Sequence, residues 1–233
     1  MKKLAAFLSL LLAACGGGSS ASAVTSDFPD ASVPATTVNK IESITSDFTY
    51  KYKVDNFAHR PLNFGRVVML GDSLTDLGGW NEYIPGTLNR GISGDNSYGI
   101  LQRLDQVIAL KPKMVFLLCG TNDLYWGDSP TDIIARIGEI VDAFAAQGIP
   151  VTLQTVPPIR QMGGDYGYIT NSNVVALDNL IRNLAQQRGL ALVDLYNGVV
   201  DSTGQLREST DGIHFTGSDY DIWVSLLKQH WPA

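Results

Sequence analysis

The chain has 233 residues, and 45% of them are hydrophobic, a composition typical of a folded globular protein and unlike that of a disordered one. Its formal net charge at pH 7 is −6. No cluster of Lys and Arg stands out that could neutralise phosphates, which argues against a nucleic-acid partner.

The first 14 residues have the pattern of an export signal. Two lysines precede an apolar run from Leu4 to Ala14, which is far shorter than the ~20 residues of a membrane-spanning helix. The run ends in Leu12-Ala-Ala-Cys15, which resembles the lipobox of bacterial lipoproteins. The resemblance implies lipidation of Cys15 and anchoring to the bacterial cell envelope, at the outer membrane or its periplasmic face. A plain secretory signal is the alternative.

Three further segments follow this signal. Residues 15–40 are rich in Gly, Ser and Ala, which predicts a flexible tether. Residues 41–65 form an N-terminal extension, where the alternation of apolar and polar residues from Phe48 to Val54 predicts an edge strand. Residues 66–233 form the main domain.

The main domain alternates short apolar runs with amphipathic segments. The apolar runs predict buried strands at 67–70, 114–118, 151–156 and 190–193, with a weaker one at 87–90. Helices are predicted at 97–110, between Ser129 and Gly148, at 172–188 and from Thr216 onward. This alternation predicts a five-stranded, mainly parallel sheet with helices on both faces. Cys119 ends an apolar run and is expected to be a buried hydrophobe.

Four polar motifs follow the predicted strands. They are Gly71-Asp-Ser-Leu74, the segment from Asn89 to Asp95, Gly120-Thr-Asn-Asp123 and Asp211-Gly-Ile-His214. Because the carboxyl ends of parallel strands meet at one edge of a sheet, these motifs are expected to converge on a single crevice.

The order and spacing of the motifs resemble those of the SGNH hydrolases, the GDSL-like lipases and esterases. The motif from Gly71 to Leu74 matches the GDSL block, and Gly94 and Asn122 match the glycine and asparagine blocks. The stretch 80–99 is similar to the branch of platelet-activating-factor acetylhydrolase-like enzymes and O-acetylesterases. The resemblance implies a flavodoxin-like, three-layer α/β/α fold and the activity of a serine carboxylic ester hydrolase.

The residue types in these motifs fit nucleophilic acyl transfer. Ser73 is expected to be the nucleophile, His214 the general base and acid, and Asp211 the carboxylate that orients the imidazole. In this family three donors bind the oxyanion, and here they correspond to the backbone N–H groups of Ser73 and Gly94 and the side-chain amide of Asn122. Three other carboxylates in the motifs are expected to orient loops rather than carry protons: Asp72, Asp76 and Asp123.

The expected reaction is acyl transfer in two steps, without a cofactor and without a metal. The expected substrate is a small-molecule or glycan ester with a short acyl group, such as acetyl. Longer acyl chains, as taken by a lysophospholipase or thioesterase, are one alternative, and a catalytically silent lipoprotein that binds envelope glycan is another.

Aromatic and apolar residues near the motifs, several of them in the long loop 157–171, are expected to form the acyl or sugar pocket: Tyr125, Trp126, Met162, Tyr166 and Tyr168.

Overall fold

The computed structural model describes residues 43–232. The predicted signal peptide, the predicted lipidation site Cys15 and the predicted tether up to residue 40 lie outside the described residues. Between residues 43 and 232, no helix combines the length and the apolar composition needed to cross a membrane.

Five strands form one sheet in which all neighbouring strands are parallel, in the order β2-β1-β3-β4-β5. The strands are β1 (Val67–Gly71), β2 (Leu88–Gly91), β3 (Met114–Leu117), β4 (Val151–Gln154) and β5 (Ala191–Val193). The predicted five-stranded parallel sheet is therefore confirmed. Strand β1 lies between β2 and β3, so the chain order reverses beside it, and such a switch point opens a crevice at the carboxyl ends of the strands.

Helices connect and flank the strands. They are α1 (Phe48–His59), α2 (Ser73–Asp76), α3 (Trp80–Tyr83), α4 (Ser97–Gln102), α5 (Leu104–Ile108), α6 (Thr121–Tyr125), α7 (Pro130–Ala145), α8 (Asn171–Arg188), α9 (Leu195–Val199) and α10 (Gly217–Lys228). Two of the predicted helix starts are capped, because Ser129 accepts the N–H of Asp132 and the side chain of Asp219 accepts the N–H of Thr216 at 3.3 Å. The predicted helix 97–110 is instead two helices that meet at Arg103.

Successive side chains of β1 point to opposite faces of the sheet, and each face carries its own core. Val68 and Leu70 belong to a core formed with α4, α5, α7 and α8, whereas Val67 and Met69 belong to one formed with α3, α9 and α10. In the second core, Trp223 is fully buried and its indole N–H donates to Gln154 Oε1 at 2.6 Å. The sheet is thus the middle of three layers, as predicted.

The predicted edge strand at residues 48–54 is wrong, because this segment belongs to helix α1. Tyr50 and Phe57 are seven residues apart, so they lie on the same face of a helix and pack with Ile44 and Ile92. The side chain of Asp47 accepts the N–H of Tyr50 and caps the helix. The apolar and polar residues alternate over only seven positions. This stretch was too short to show that the buried residues recur with the period of a helix.

Asp178, on α8, is a buried carboxyl group beneath the end of β4. Its Oδ1 accepts the N–H of Val156 at 2.7 Å, while Oδ2 has no hydrogen-bond partner among the residues that the structure describes. Burial raises the pKa of Asp178 to about 8. The folded protein therefore keeps this proton at pH values where the unfolded chain has lost it, so this group makes folding less favourable as the pH rises toward 8.

We expect Asp178→Asn to stabilise the protein at alkaline pH, by about 1–3 kcal/mol, because a neutral amide keeps the bond to Val156 without a buried charge. The gain should shrink as the pH falls toward about 4, because below that pH the wild-type carboxyl is protonated in both the folded and the unfolded chain. Thermal unfolding of both proteins across this pH range measures the effect. An equal difference in Tm at acid and alkaline pH would show that Asp178 does not titrate as described.

Candidate active site

Ser73 lies at the carboxyl end of β1, where the strand passes directly into helix α2. The side chain of Asp72 caps this helix by accepting the N–H of Leu74 at 3.0 Å. Burial raises the pKa of Asp72 to about 7. The strand and the cap together set the backbone of Ser73, so its hydroxyl is presented at the edge of the sheet.

The structure brings Ser73, His214 and Asp211 together, although the first two are 141 positions apart in the chain. Nε2 of His214 lies 2.9 Å from Oγ of Ser73, and Nδ1 lies 2.5 Å from Oδ2 of Asp211. The other carboxylate oxygen, Oδ1 of Asp211, accepts the backbone N–H groups of Ile213 at 2.9 Å and His214 at 2.8 Å. The tight turn from 211 to 214 therefore holds the carboxylate and the imidazole in contact.

The charge of Asp211 assigns the roles of the two imidazole nitrogens. Burial acts to raise the pKa of Asp211, but the hydrogen bonds from the backbone and imidazole of His214 outweigh it and hold that pKa well below its usual range. The carboxylate stays ionised and accepts the proton on Nδ1 of His214. Nε2 is then left as an acceptor that faces the Ser73 hydroxyl.

The candidate oxyanion donors lie beside this hydroxyl. Gly94 follows β2 with a φ of +82°, a left-handed conformation that favours glycine. The side-chain N–H₂ of Asn122, on α6, donates one hydrogen to the carbonyl oxygen of Asp95 at 2.7 Å, which fixes the amide and leaves its second hydrogen for another acceptor. Ser73, Gly94, Asn122 and His214 all line one crevice of about 580 Å³.

A buried arginine connects the chain segments that form this crevice. The side chain of Arg103 is 1% exposed and lies 2.7 Å from the carboxylate of Asp95. Its Nη1 donates to the carbonyl oxygen of Arg90 at 2.9 Å, and Nη2, the nitrogen that faces Asp95, also donates to the carbonyl oxygen of Gly71 at 3.2 Å. One guanidinium thus joins the end of β1, the end of β2 and the residue after Gly94. Sequence analysis missed this role, for which the only signal was a charged residue within an apolar helical stripe.

A second ion network fixes helix α6. Asp123 accepts the backbone N–H and the hydroxyl of Ser97, and Arg136 reaches Asp123 at 3.2 Å and Asp128 at 2.6 Å. Asp123 was expected to orient a loop; instead it lies in α6, beside Asn122, and ties this helix to the start of α4. Cys119 is buried as predicted, and burial raises the pKa of its thiol well above the usual range.

The predicted pocket residues divide into two groups. Tyr125 and Trp126 line the crevice, whereas Met162, Tyr166 and Tyr168 lie outside its lining. These three residues were expected to form the acyl or sugar pocket, and the packing of the loop 157–171 corrects this. Tyr166 is buried, its oxygen accepts the N–H of Met162 at 2.8 Å, and it lies beneath Gly212.

The loop 157–171 supports the crevice from outside. The hydroxyl of Tyr125 donates to Oδ2 of Asp165 at 3.1 Å. At Gly212, where φ is +91°, a Cβ would lie 2.4 Å from the oxygen of Tyr166, so the turn that carries Asp211 rests directly on that ring. The loop therefore positions Tyr125 through Asp165 and the 211–214 turn through Tyr166.

The N-terminal extension forms a wall of the crevice that sequence analysis did not predict. The lining includes Ser43, Ile44, Asp47, Thr49 and Tyr50. The hydroxyl of Tyr50 also donates to the carbonyl oxygen of Gly99 on α4 at 2.8 Å, which docks α1 against the domain. This wall was missed because the segment was interpreted as an edge strand of unknown role.

Comparison with solved structures agrees with this geometry. A GDSL-like lipase of Bacteroides thetaiotaomicron is 28% identical, with 78% of this chain and 96% of that chain covered and a TM-score of 0.68. A protein of Bacteroides fragilis described as an acylhydrolase is 27% identical, with 79% and 96% covered and a TM-score of 0.70. An acetyl xylan esterase shares the fold at 18% identity, with 72% and 100% covered and a TM-score of 0.60.

The comparison with protein families gives the same result at the level of sequence. No curated protein matches the chain. The model of the GDSL-like lipase/acylhydrolase family, however, matches residues 69–222, which include all four polar motifs. The chain therefore belongs to the GDSL-like lipase/acylhydrolase family of ester hydrolases.

Proposed function

We propose that this protein is a serine esterase that removes short acyl groups, such as acetyl, from carbohydrate esters through an acyl-enzyme on Ser73. One observation carries the proposal: an unbroken hydrogen-bonded chain runs from Asp211 through His214 to the hydroxyl of Ser73 within an open crevice. A nucleophile, a base and a group that orients the base are thus in contact.

In the first step, Oγ of Ser73 attacks the ester carbonyl carbon while Nε2 of His214 takes the hydroxyl proton. The carbonyl oxygen becomes an oxyanion that accepts hydrogen bonds from the N–H groups of Ser73 and Gly94 and from Asn122. When the tetrahedral intermediate collapses, the bond to the alcohol oxygen breaks. His214 then gives its proton to that oxygen, and the acyl group stays on Ser73.

In the second step, water replaces the alcohol. Nε2 of His214 takes a proton from the water as its oxygen attacks the acyl carbon, and the same donors hold the second oxyanion. Collapse returns the proton to Oγ of Ser73 and releases the carboxylic acid. The ionised Asp211 stabilises the imidazolium that forms in each step.

The lining of the crevice favours a polar alcohol with a small acyl group. Hydroxyl and carboxylate side chains from Ser43, Asp47, Thr49 and Ser93 share the walls with Tyr125 and Trp126. A long acyl chain laid against these polar groups would remove them from water without replacing their hydrogen bonds, whereas sugar hydroxyls can bond to them. The fold shared with an acetyl xylan esterase supports the same substrate class.

One observation favours the alternative of longer acyl chains. Leu77 and Trp126 line the crevice and are 61% and 55% exposed, so apolar surface is available near the nucleophile. A lysophospholipase or thioesterase would use this surface to bind the chain.

We also propose that the enzyme is held at the bacterial cell envelope by a lipid on Cys15. Support comes from the basic start, the short apolar run and the Leu12-Ala-Ala-Cys15 ending of the signal. Anchored in this way, the domain would meet glycan esters of the envelope or its surroundings.

Ser73→Ala should reduce the hydrolysis of p-nitrophenyl acetate to background, because among residues 43–232 Ser73 is the only one whose hydroxyl bonds to Nε2 of His214. With the wild type, acid quenching during turnover should trap an acyl group on the peptide that contains Ser73, detectable by mass spectrometry. If wild type and variant are equally inert, the alternative of a catalytically silent glycan-binding protein gains support.

The acyl-chain preference can be measured with p-nitrophenyl esters from acetyl to palmitoyl. We expect kcat/KM to be highest for acetyl and to fall as the chain lengthens, because longer chains contact the polar wall. A maximum at octanoyl or longer would instead support the lysophospholipase alternative.

Cys15→Ser should release the protein from the membrane fraction of a bacterial host, because the lipid attaches to the thiol. Labelled fatty acid should enter the wild type and not the variant, while both hydrolyse a soluble ester at the same rate. Cys119→Ser is the matched control and should leave the labelling unchanged. Equal labelling of the wild type and Cys15→Ser would exclude the anchor.

A further inference from the structure

The carboxylate of Asp76 connects the N-terminal helix to the oxyanion loop. Asp76 ends helix α2, and its Oδ1 lies 2.5 Å from Nζ of Lys53 on α1. Its Oδ2 accepts the hydroxyl of Ser93 at 2.9 Å and the backbone N–H of Ser93 at 3.2 Å. The side chains of Lys53 and Asp76 are only 29% and 11% exposed, so solvent screens this ion pair less than one on the open surface.

Ser93 directly precedes Gly94, whose backbone N–H is one of the candidate oxyanion donors. Gly94 is exposed, and a Cβ built on it would have nothing within 4 Å, so packing does not hold this residue. Its N–H lies in the rigid peptide plane shared with Ser93. The direction of the donor is therefore set by the neighbours on each side, Ser93 through Asp76 and Asp95 through Arg103.

We propose that Lys53 is a positioning residue for the oxyanion site, which it serves by holding Asp76 against Ser93 and so directing the N–H of Gly94. This proposal rests on ester hydrolysis as the proposed function. Lys53 precedes residues 69–222, which match the family model. The N-terminal extension thus contributes to the chemistry of the site as well as to the wall of its crevice.

Helix α1 has other contacts that hold it in place without Lys53. Tyr50 bonds to Gly99, the side chain of Gln106 donates to the carbonyl oxygen of Val54 at 3.4 Å, and Phe57 lies beneath the guanidinium of Arg90 at 4.7 Å. Removing the charge of Lys53 while keeping an unbranched side chain should therefore leave the helix docked. Its effect should be confined to Asp76 and the loop beyond it.

The test compares Lys53→Met with the wild type on p-nitrophenyl acetate. We expect kcat to fall by about 10- to 100-fold with little change in KM, since a misdirected donor costs less than the roughly 10²–10³-fold loss when a donor is removed. Asn122→Ala supplies that reference. Lys53→Arg, which keeps the charge, should recover part of kcat. Lys51→Met, an exposed residue on the same helix, should match the wild type.

A double-mutant cycle shows whether Lys53 acts through Asp76. In an Asp76→Asn background, Lys53→Met should cause no further loss of kcat, because the carboxylate through which Lys53 acts is already absent. An unchanged kcat in Lys53→Met, a change in KM alone, or losses that multiply in the double mutant would each overturn the proposal while leaving the esterase intact. A wild type no more active than Ser73→Ala would overturn the esterase and this inference together.

Discussion

The guanidinium of Arg103 is the constraint on which the geometry of the site depends. It lies almost fully buried beneath the crevice, paired with Asp95 and bonded to carbonyl oxygens at the ends of β1 and β2. A buried cation is tolerated only when its partners are all in place, because removing one partner of a buried pair costs about 3–5 kcal/mol. The segment that leads to Ser73 and the segment that holds Gly94 therefore cannot shift independently.

The remaining groups of the site are added to this base from distant parts of the chain. Asn122 is fixed by the carbonyl oxygen of Asp95, and its neighbour Asp123 is tied to α4. The turn that carries Asp211 and His214 rests on the buried ring of Tyr166. Donors and acceptors that are already in place need no reorganisation during the reaction, which is the main advantage of such a site.

The N-terminal extension lies outside the part of the chain that matches the family model, but it contributes residues to the active-site crevice. The family model begins at residue 69, yet residues 43–50 line the crevice and Lys53 reaches Asp76. This wall brings the carboxylate of Asp47 and the hydroxyl groups of Ser43 and Thr49 to the crevice.

Local patterns were sufficient for the sheet and for the helices α7, α8 and α10. The apolar runs predicted the five strands, and the residues from Ser129 and from Thr216 predicted two helix starts. These features depend on neighbours within a few positions, which the sequence shows directly. Alternation over seven residues failed at α1, because both a strand and a helix can bury Tyr50 and only its packing against Ile92 distinguishes them.

By itself, the sequence determined the parallel sheet and the placement of four polar motifs at its carboxyl edge, since the direction of parallel strands brings their ends together. It also determined which residue types meet there. Only the tertiary structure decided the role of Arg103, the wall formed by α1, the link from Lys53 to Ser93 and the supporting role of the loop 157–171. These features depend on contacts between residues that are far apart in the chain, such as Arg103 with Gly71 and Lys53 with Asp76, and no local pattern encodes them.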